Sequence, residues 1–268
     1  MRILEWDEFL KEGPGAGDKP AAVTVGVFDG VHRGHRELIQ RITLCGQMPV
    51  VVTFRNNHKK PGHSYPGDIT RFGQKAALFE SMGAAVTVAA DLSESFRRMS
   101  GADFFRLLRE RGNMGFLAVG SNFRCGHNLD TDAPMIQQLN AAHGIPVDIV
   151  ETLTEEGLPI SSSRIRKAIA QGNLAEAAVM LGRPFAIDLS GADIMPHKNS
   201  CTDIVCRIAD LGYVLPPPGR YAVLIYGENC AGKQAQIQIE DGLLRLPAVQ
   251  AFSRGRDIRH GIRVEFVC

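Results

Sequence analysis

Two histidines three residues apart, His32 and His35, bracket Gly34 and follow an apolar, β-branched run that starts at Val23. Directly after them, Leu38, Ile39 and Ile42 recur at helical spacing. Strand, glycine-rich turn and helix in that order form the layout of a phosphate site. The strand is expected to end near Gly26, the turn to span Phe28 to Gly34, and the helix to begin about His35. Gly34 leaves room for a phosphate against the backbone, and the first helical amides present the positive end of the dipole to it. The two imidazoles can donate N–H groups to the same oxygens. Such a turn suits a nucleoside triphosphate.

Three further patches could join it. Ile160-Ser-Ser-Ser-Arg-Ile-Arg166 opens a second helical stretch, where serine hydroxyls, free amides and the guanidinium groups of Arg164 or Arg166 can bind phosphate. An N-cap before an amphipathic basic helix reads the same way. Val119-Gly-Ser-Asn-Phe-Arg-Cys-Gly126 follows another strand and offers Asn122 as a polar contact and Phe123 as an apolar wall. Thr53-Phe-Arg-Asn-Asn-His58 follows a third.

The string Gly26-Val-Phe-Asp-Gly-Val-His-Arg-Gly-His35 closely resembles the signature of bacterial FAD synthetases, whose N-terminal domain is an FMN adenylyltransferase of the HxGH nucleotidyltransferase superfamily. The serine–arginine patch matches the family's Ile-Ser-Ser-Thr-Arg-Ile-Arg except for Ser163, which keeps the hydroxyl. Asn122, Phe123, Arg124 and Gly126 match its Asn-Phe-Arg-Phe-Gly pattern, with Cys125 in place of phenylalanine. The departure lies after Phe54: the family's Thr-Phe-(Glu/Asp)-Pro-His-Pro loses its acid and both prolines, and His58 is displaced by one position. Altered flavin contacts follow, with Arg55 placed to meet the FMN phosphate or simply solvated.

The resemblance covers roughly residues 20–184. It implies a Rossmann-like, five-stranded domain that binds ATP with Mg²⁺, transfers AMP to FMN, and releases FAD and pyrophosphate. It gives His32, His35, Ser162 and Arg164 catalytic roles and assigns ATP to Gly26, Phe28, Asp29, Gly34, Asn122, Ser161, Ser163 and Arg166. Flavin falls to Phe54, Arg55, His58, Asn122, Phe123 and Arg124. In-line transfer needs no covalent nucleophile, only positioning and charge stabilisation.

The elements around these patches alternate. Strands are expected at 49–54, 85–89, 115–120 and 147–150, and helices at 68–81, 102–111 and 133–143, which predicts βαβ units and a parallel sheet. Ligands in such sheets sit beyond the carboxyl ends of the strands. Two short helices follow: Ser161-Ser-Ser opens the first and Gly172 closes it, while Asn173 with Glu176 resembles a capping box before Gly182. From about Phe185 alternating strands take over, at 203–208, 220–226, 234–240, 242–246 and 262–267. The fold class is therefore α/β: a parallel-sheet nucleotidyltransferase domain over 1–184 and a small antiparallel β-barrel over 185–268.

The second domain is similar to the riboflavin kinase barrel that bacterial FAD synthetases carry, on Pro218-Gly-Arg-Tyr-Ala-Val223 and Arg256-Asp-Ile-Arg-His-Gly-Ile-Arg-Val-Glu-Phe266. The kinase motif Gly-x-Pro-Thr-Ala-Asn is absent, and residues 194–203 stand in its place, so loss of kinase activity is expected. Gly227-Glu-Asn-Cys-Ala-Gly-Lys233 has Walker A spacing, but Gln234 replaces the hydroxyl residue and a strand follows, so a hairpin turn is expected.

Composition fits a cytoplasmic enzyme. The 268 residues are 44% hydrophobic and 22% charged, with net charge +1, which gives no nucleic-acid footprint and no polybasic membrane anchor. The N-terminal residues lack a secretory h-region, and no run reaches transmembrane length. Six scattered cysteines contain no CxxC pair, so free thiols and no protein metal cage are expected. Other readings stay open: a different HxGH transferase, a bifunctional riboflavin kinase/FAD synthetase, and a non-catalytic flavin-binding relic. The oligomeric state is not encoded in these patterns.

Overall fold

The computed structural model describes residues 1–15, 19–55, 65–91, 93–190, 192–196, 204–227, 230–247 and 261–267. His58, residues 197–203 and residues 256–260 lie outside the described residues. The chain forms two compact units, one of residues 1–61 and 72–160 and the other of residues 62–71 and 161–268. The boundary expected after residue 184 follows sequence motifs. Compactness instead groups the helices at 162–181 with the barrel strands.

In the first unit, β1 (Arg2–Glu5), α1 (Trp6–Glu12), β2 (Ala21–Val25), α2 (Arg33–Leu44), β3 (Met48–Phe54), α3 (Phe72–Ser81) and β4 (Val86–Ala90) come first. They are followed by α4 (Glu94–Arg98), α5 (Gly101–Gly112), β5 (Met114–Gly120), β6 (Arg124–Cys125), β7 (Thr131–Asp132), α6 (Ala133–Ala141) and β8 (Val147–Val150), then the hairpin of β9 (Thr154–Glu155) and β10 (Leu158–Pro159). Six strands form one parallel sheet in the order β1-β4-β3-β2-β5-β8. The expected five are present, and β1 is added at the edge. Its four residues bury Leu4 alone, too faint a pattern to read as a strand.

Both faces of the sheet are covered, so its strands are near-continuous apolar runs. Val50 and Val52 point into a cluster with Trp6, Phe9, Phe104, Phe105 and Leu108. Val51, between them, packs on the opposite face with Leu38, Ile39, Ile42 and Phe79. Strand order reverses at β2: its chain continues to β3 on one side, whereas β5 enters on the other. That switch point is where open α/β sheets bind ligands.

In the second unit, α7 (Ser162–Ala170) and α8 (Leu174–Leu181) precede β11 (Ala186–Asp188), β12 (Ile194–Pro196), β13 (Ile204–Arg207), α9 (Ile208–Leu211), β14 (Gly219–Gly227), β15 (Cys230–Glu240), β16 (Leu243–Leu246) and β17 (Arg263–Phe266). Seven strands make a curled antiparallel sheet of the half-barrel kind, ordered β11-β17-β14-β15-β16-β13-β12. The Walker-like stretch joins antiparallel β14 and β15, with Gly227 opposite Cys230, as a hairpin requires.

The helix expected from Asp68 starts at Phe72 instead. Residues before it pair across the second unit: the Asp68 N–H donates to the Gly212 carbonyl at 2.9 Å, and the Val214 N–H donates to the Asp68 carbonyl at 3.0 Å. Gly67 there has φ +111°, and a Cβ would lie 2.3 Å from the Tyr213 carbonyl carbon. Such long-range pairing leaves no periodic trace. The expected capping box of α8 does not form either. Asn173 makes no side-chain cap bond, and Glu176 turns to Arg164.

Candidate active site

The histidine turn leaves the sheet at the switch point. Helix α2 begins at Arg33, two residues earlier than expected, because His32 is its N-cap. Histidine is unusual in that role, since the cap normally falls to short oxygen side chains. Here the His32 Nδ1 accepts the His35 backbone N–H at a long 3.4 Å. A neutral imidazole accepting at Nδ1 carries its proton on Nε2, so that nitrogen is the donor. The His35 ring stacks on the His32 ring, with centroids 3.5 Å apart and planes 19° apart. His32 is buried and His35 half-buried.

Ahead of the cap the backbone is bent tightly. Phe28, Gly30 and Val31 have φ of 52°, 85° and 40°, a left-handed run that costs a bulky or branched residue strain. Phe28 is buried, edge-on to both His35 and Phe79, with its ring lying over Gly26. A Cβ on Gly26 would come within 3.1 Å of that ring. Asp29 is buried at 1% exposure. Arg33, inside the motif, forms an ion pair with Glu155 of the β9–β10 hairpin. The two partners lie 122 residues apart, so no local pattern signals the pair.

The neighbouring strand ends carry the other first-unit candidates. Phe54 ends β3, half-buried and edge-on to Phe96. Arg55 pairs with Glu5 and lies 4.4 Å from the centre of the Phe72 ring. It is held, not loosely solvated. Asn122 and Arg124 are exposed after β5, while Phe123 packs against the core. The parallel sheet thus brings Gly26 to His35, Phe54 with Arg55, and Asn122 to Arg124 to the carboxyl ends of β2, β3 and β5. Cys125 beside them is desolvated, which pushes its thiol up to about 12.

The remaining candidates belong to the second unit. Ser161 caps α7, its hydroxyl accepting the Arg164 N–H at 3.2 Å, and Ser162 and Ser163 form the first helical turn. Arg164 pairs with Glu176 at 3.1 Å. Arg166 is buried, its Nε donating to the Gly67 carbonyl at 3.1 Å and its guanidinium 5.3 Å from the Tyr65 ring centre.

The sequence reading passed over Lys75, which is fully buried on α3 with its Nζ donating to the carbonyls of Val27 at 3.1 Å and Phe54 at 2.7 Å. The available signal was a lysine sharing an apolar stripe with Ala76 and Phe79. Among the described residues, no group of three or more metal-ligating side chains forms, and no helix is long and apolar enough to cross a membrane.

A doubly wound parallel sheet with a glycine-rich histidine turn at its switch point defines a Rossmann-like α/β protein. Residues 16–164, more than half of the chain, match FAD synthetase, and the chain belongs to that family. It is 31% identical over 196 residues to the bifunctional riboflavin kinase/FMN adenylyltransferase of Escherichia coli K12, covering 70% of this chain and 61% of that one. It is 32% identical over 218 residues to the Bacillus subtilis protein of the same description, covering 76% and 66%. The chain therefore spans under two thirds of the length of these relatives. A Streptococcus pneumoniae crystal structure described as a macrolide-efflux protein shares the fold, with TM-score 0.78 and 22% identity over 99% of this chain and 90% of that one.

Proposed function

We propose that the chain is an FMN adenylyltransferase, an enzyme that transfers AMP from ATP to FMN. The observation that carries this reading is the stacked His32–His35 pair at the start of α2. A phosphate oxygen of FMN attacks the α-phosphorus of ATP in line. The bond from that phosphorus to the bridging oxygen breaks, and pyrophosphate departs. His32 donates from Nε2, and His35 with the first α2 amides supplies further donors, to the oxygens where charge builds. Ser161, Ser162, Ser163 and Arg164 supply phosphate donors at the start of α7, with Glu176 orienting the Arg164 fork. Arg166 supports that helix through Gly67.

Asp29, the carboxylate within the turn, would join phosphate oxygens and water in holding a Mg²⁺ ion brought with ATP, which would supply charge neutralisation at the triphosphate. The chain's own residues hold and orient the substrates. Flavin is assigned to Phe54, Arg55, His58, Asn122, Phe123 and Arg124, with Arg55 steadied by Glu5. By activity, residues 1–184 are the transferase and 185–268 a kinase-like appendage without its sequence motif. The protein is assigned to the cytoplasm, with small-molecule substrates and no nucleic-acid partner.

A chromatographic product assay with ATP, Mg²⁺ and either FMN or riboflavin tests this. FAD from FMN and nothing from riboflavin is the expected result. FMN or FAD from riboflavin restores the kinase. No turnover of FMN overturns the proposal.

A further inference from the structure

We infer that Lys75 is a positioning residue for the transfer reaction, setting the two strand ends that lead to the histidine turn and to Arg55; this rests on the function proposed above. Lys75 is fully buried on α3, next to Ala76 and Phe79. Its ammonium donates to two carbonyls from adjacent parallel strands, Val27 beyond β2 at 3.1 Å and Phe54 at the end of β3 at 2.7 Å. The Thr53 hydroxyl donates to the same Val27 carbonyl at 3.2 Å. The ladder between these strands has stopped by then: the Gly26 N–H to the Val52 carbonyl, at 3.1 Å, is its last rung. Lys75 and Thr53 supply donors where the sheet no longer does.

What those carbonyls lead into gives the contact its meaning. Val27 is the last residue before the left-handed run that begins at Phe28 and ends at the His32 cap. Phe54 is the last residue before Arg55, which is assigned to flavin. Strained backbone persists only where its surroundings over-determine it. His32 fixes the exit of the turn, and Lys75 with Thr53 fixes the entrance. One ammonium has three donors and can hold both strand ends at a set spacing, which no apolar side chain can do. Burying an ammonium is costly unless its donors are satisfied, as they are here by two carbonyls. A lysine here is explained by the geometry it imposes, through Val27 on the histidines and through Phe54 on Arg55. Its contribution is to the transition state and not to ground-state binding.

The test uses the full chain, with FAD formation followed at varied ATP and FMN. Lys75→Met should lower kcat by about tenfold or more, leaving both KM values within about threefold. Thr53→Val, which removes the other donor to Val27 while keeping shape, should lower kcat by a few-fold. The double variant should lose less than the product of the two single losses, because both donors act on one carbonyl. A folded Lys75→Met with wild-type kcat overturns the role, as does a loss confined to KM or effects that simply multiply. Should Lys75→Met fail to fold, Thr53→Val decides, and unchanged kcat there overturns the role. Wild-type chain that makes no FAD overturns the proposed function and this role with it; wild-type turnover with indifferent variants overturns the role alone.

Discussion

The His35 ring lies face to face on the ring of His32, one the third residue of α2 and the other its cap, with centroids 3.5 Å apart. The stack fixes both imidazoles in one plane pair, and a change to either disturbs the other. His32→Asn keeps a cap acceptor and removes the imidazole donor, which separates catalysis from helix stability. Both His32→Asn and His35→Ala should cost about 10²-fold in kcat, as lost transition-state donors do, with unchanged circular dichroism. Near-normal kcat in both removes the mechanism.

Gly34 offers a sharper separation. A Cβ there meets nothing closer than the His32 ring at 3.4 Å, an ordinary contact, and no left-handed φ protects the position. Gly34→Ala should therefore fold and gain up to about 1 kcal/mol, because alanine favours the helix. If a phosphate occupies the space above Gly34, the same change should raise the KM for ATP by about tenfold or more, a loss near 1.4 kcal/mol. Denaturant titration and ATP kinetics on one variant give both numbers. Unchanged ATP kinetics would place the phosphates elsewhere.

Arg166 and Gly67 should matter to stability. Gly67→Ala forces a side chain against the Tyr213 backbone at a φ that L-residues avoid, and should cost about 2–4 kcal/mol. Arg166→Ala strands the buried Gly67 carbonyl and should cost about 1–3 kcal/mol. Urea unfolding measures both. Wild-type midpoints would mean that residues 65–68 are not held as described.

Alkaline pH should destabilise the fold before most surface groups respond. Burial raises the Cys125 thiol from its ordinary 9 to about 12 and the Cys206 thiol to about 11, and it also raises the Tyr213 phenol. In each case the folded state keeps a proton that the unfolded chain gives up. The associated stability is present below about pH 9 and is lost as pH rises toward the folded values. Unfolding midpoints between about pH 8 and 11 should fall, and should fall less in Cys125→Ala. A flat profile would show these groups to be hydrated.

The doubly wound sheet was legible because both of its faces are covered: Val50, Val51 and Val52 form one unbroken apolar run. The histidine turn was legible because local chemistry and local geometry coincide there. What stayed hidden depends on partners distant in sequence. Asp68 reads as helix until Gly212 and Val214 engage it, and Glu176 reads as a capping residue until Arg164 does. Lys75 shares an apolar stripe with Ala76 and Phe79, but nothing local shows that its partners are the carbonyls of Val27 and Phe54. β1 was invisible because an edge strand buries too little to leave a pattern.

Residues 62–71 belong to one compact unit while the chain on either side of them belongs to the other. During synthesis Asp68 emerges more than a hundred residues ahead of Gly212 and Val214, whose backbone groups it pairs with. A nascent chain that has completed the parallel sheet therefore carries an open stitch until the C-terminal third leaves the ribosome. Neither unit is a contiguous block of message, so a gene fragment ending at codon 184 would separate the stitch from Tyr213 and Val214. Truncation at that point would leave the backbone of Asp68 without the Gly212 and Val214 groups that it pairs with.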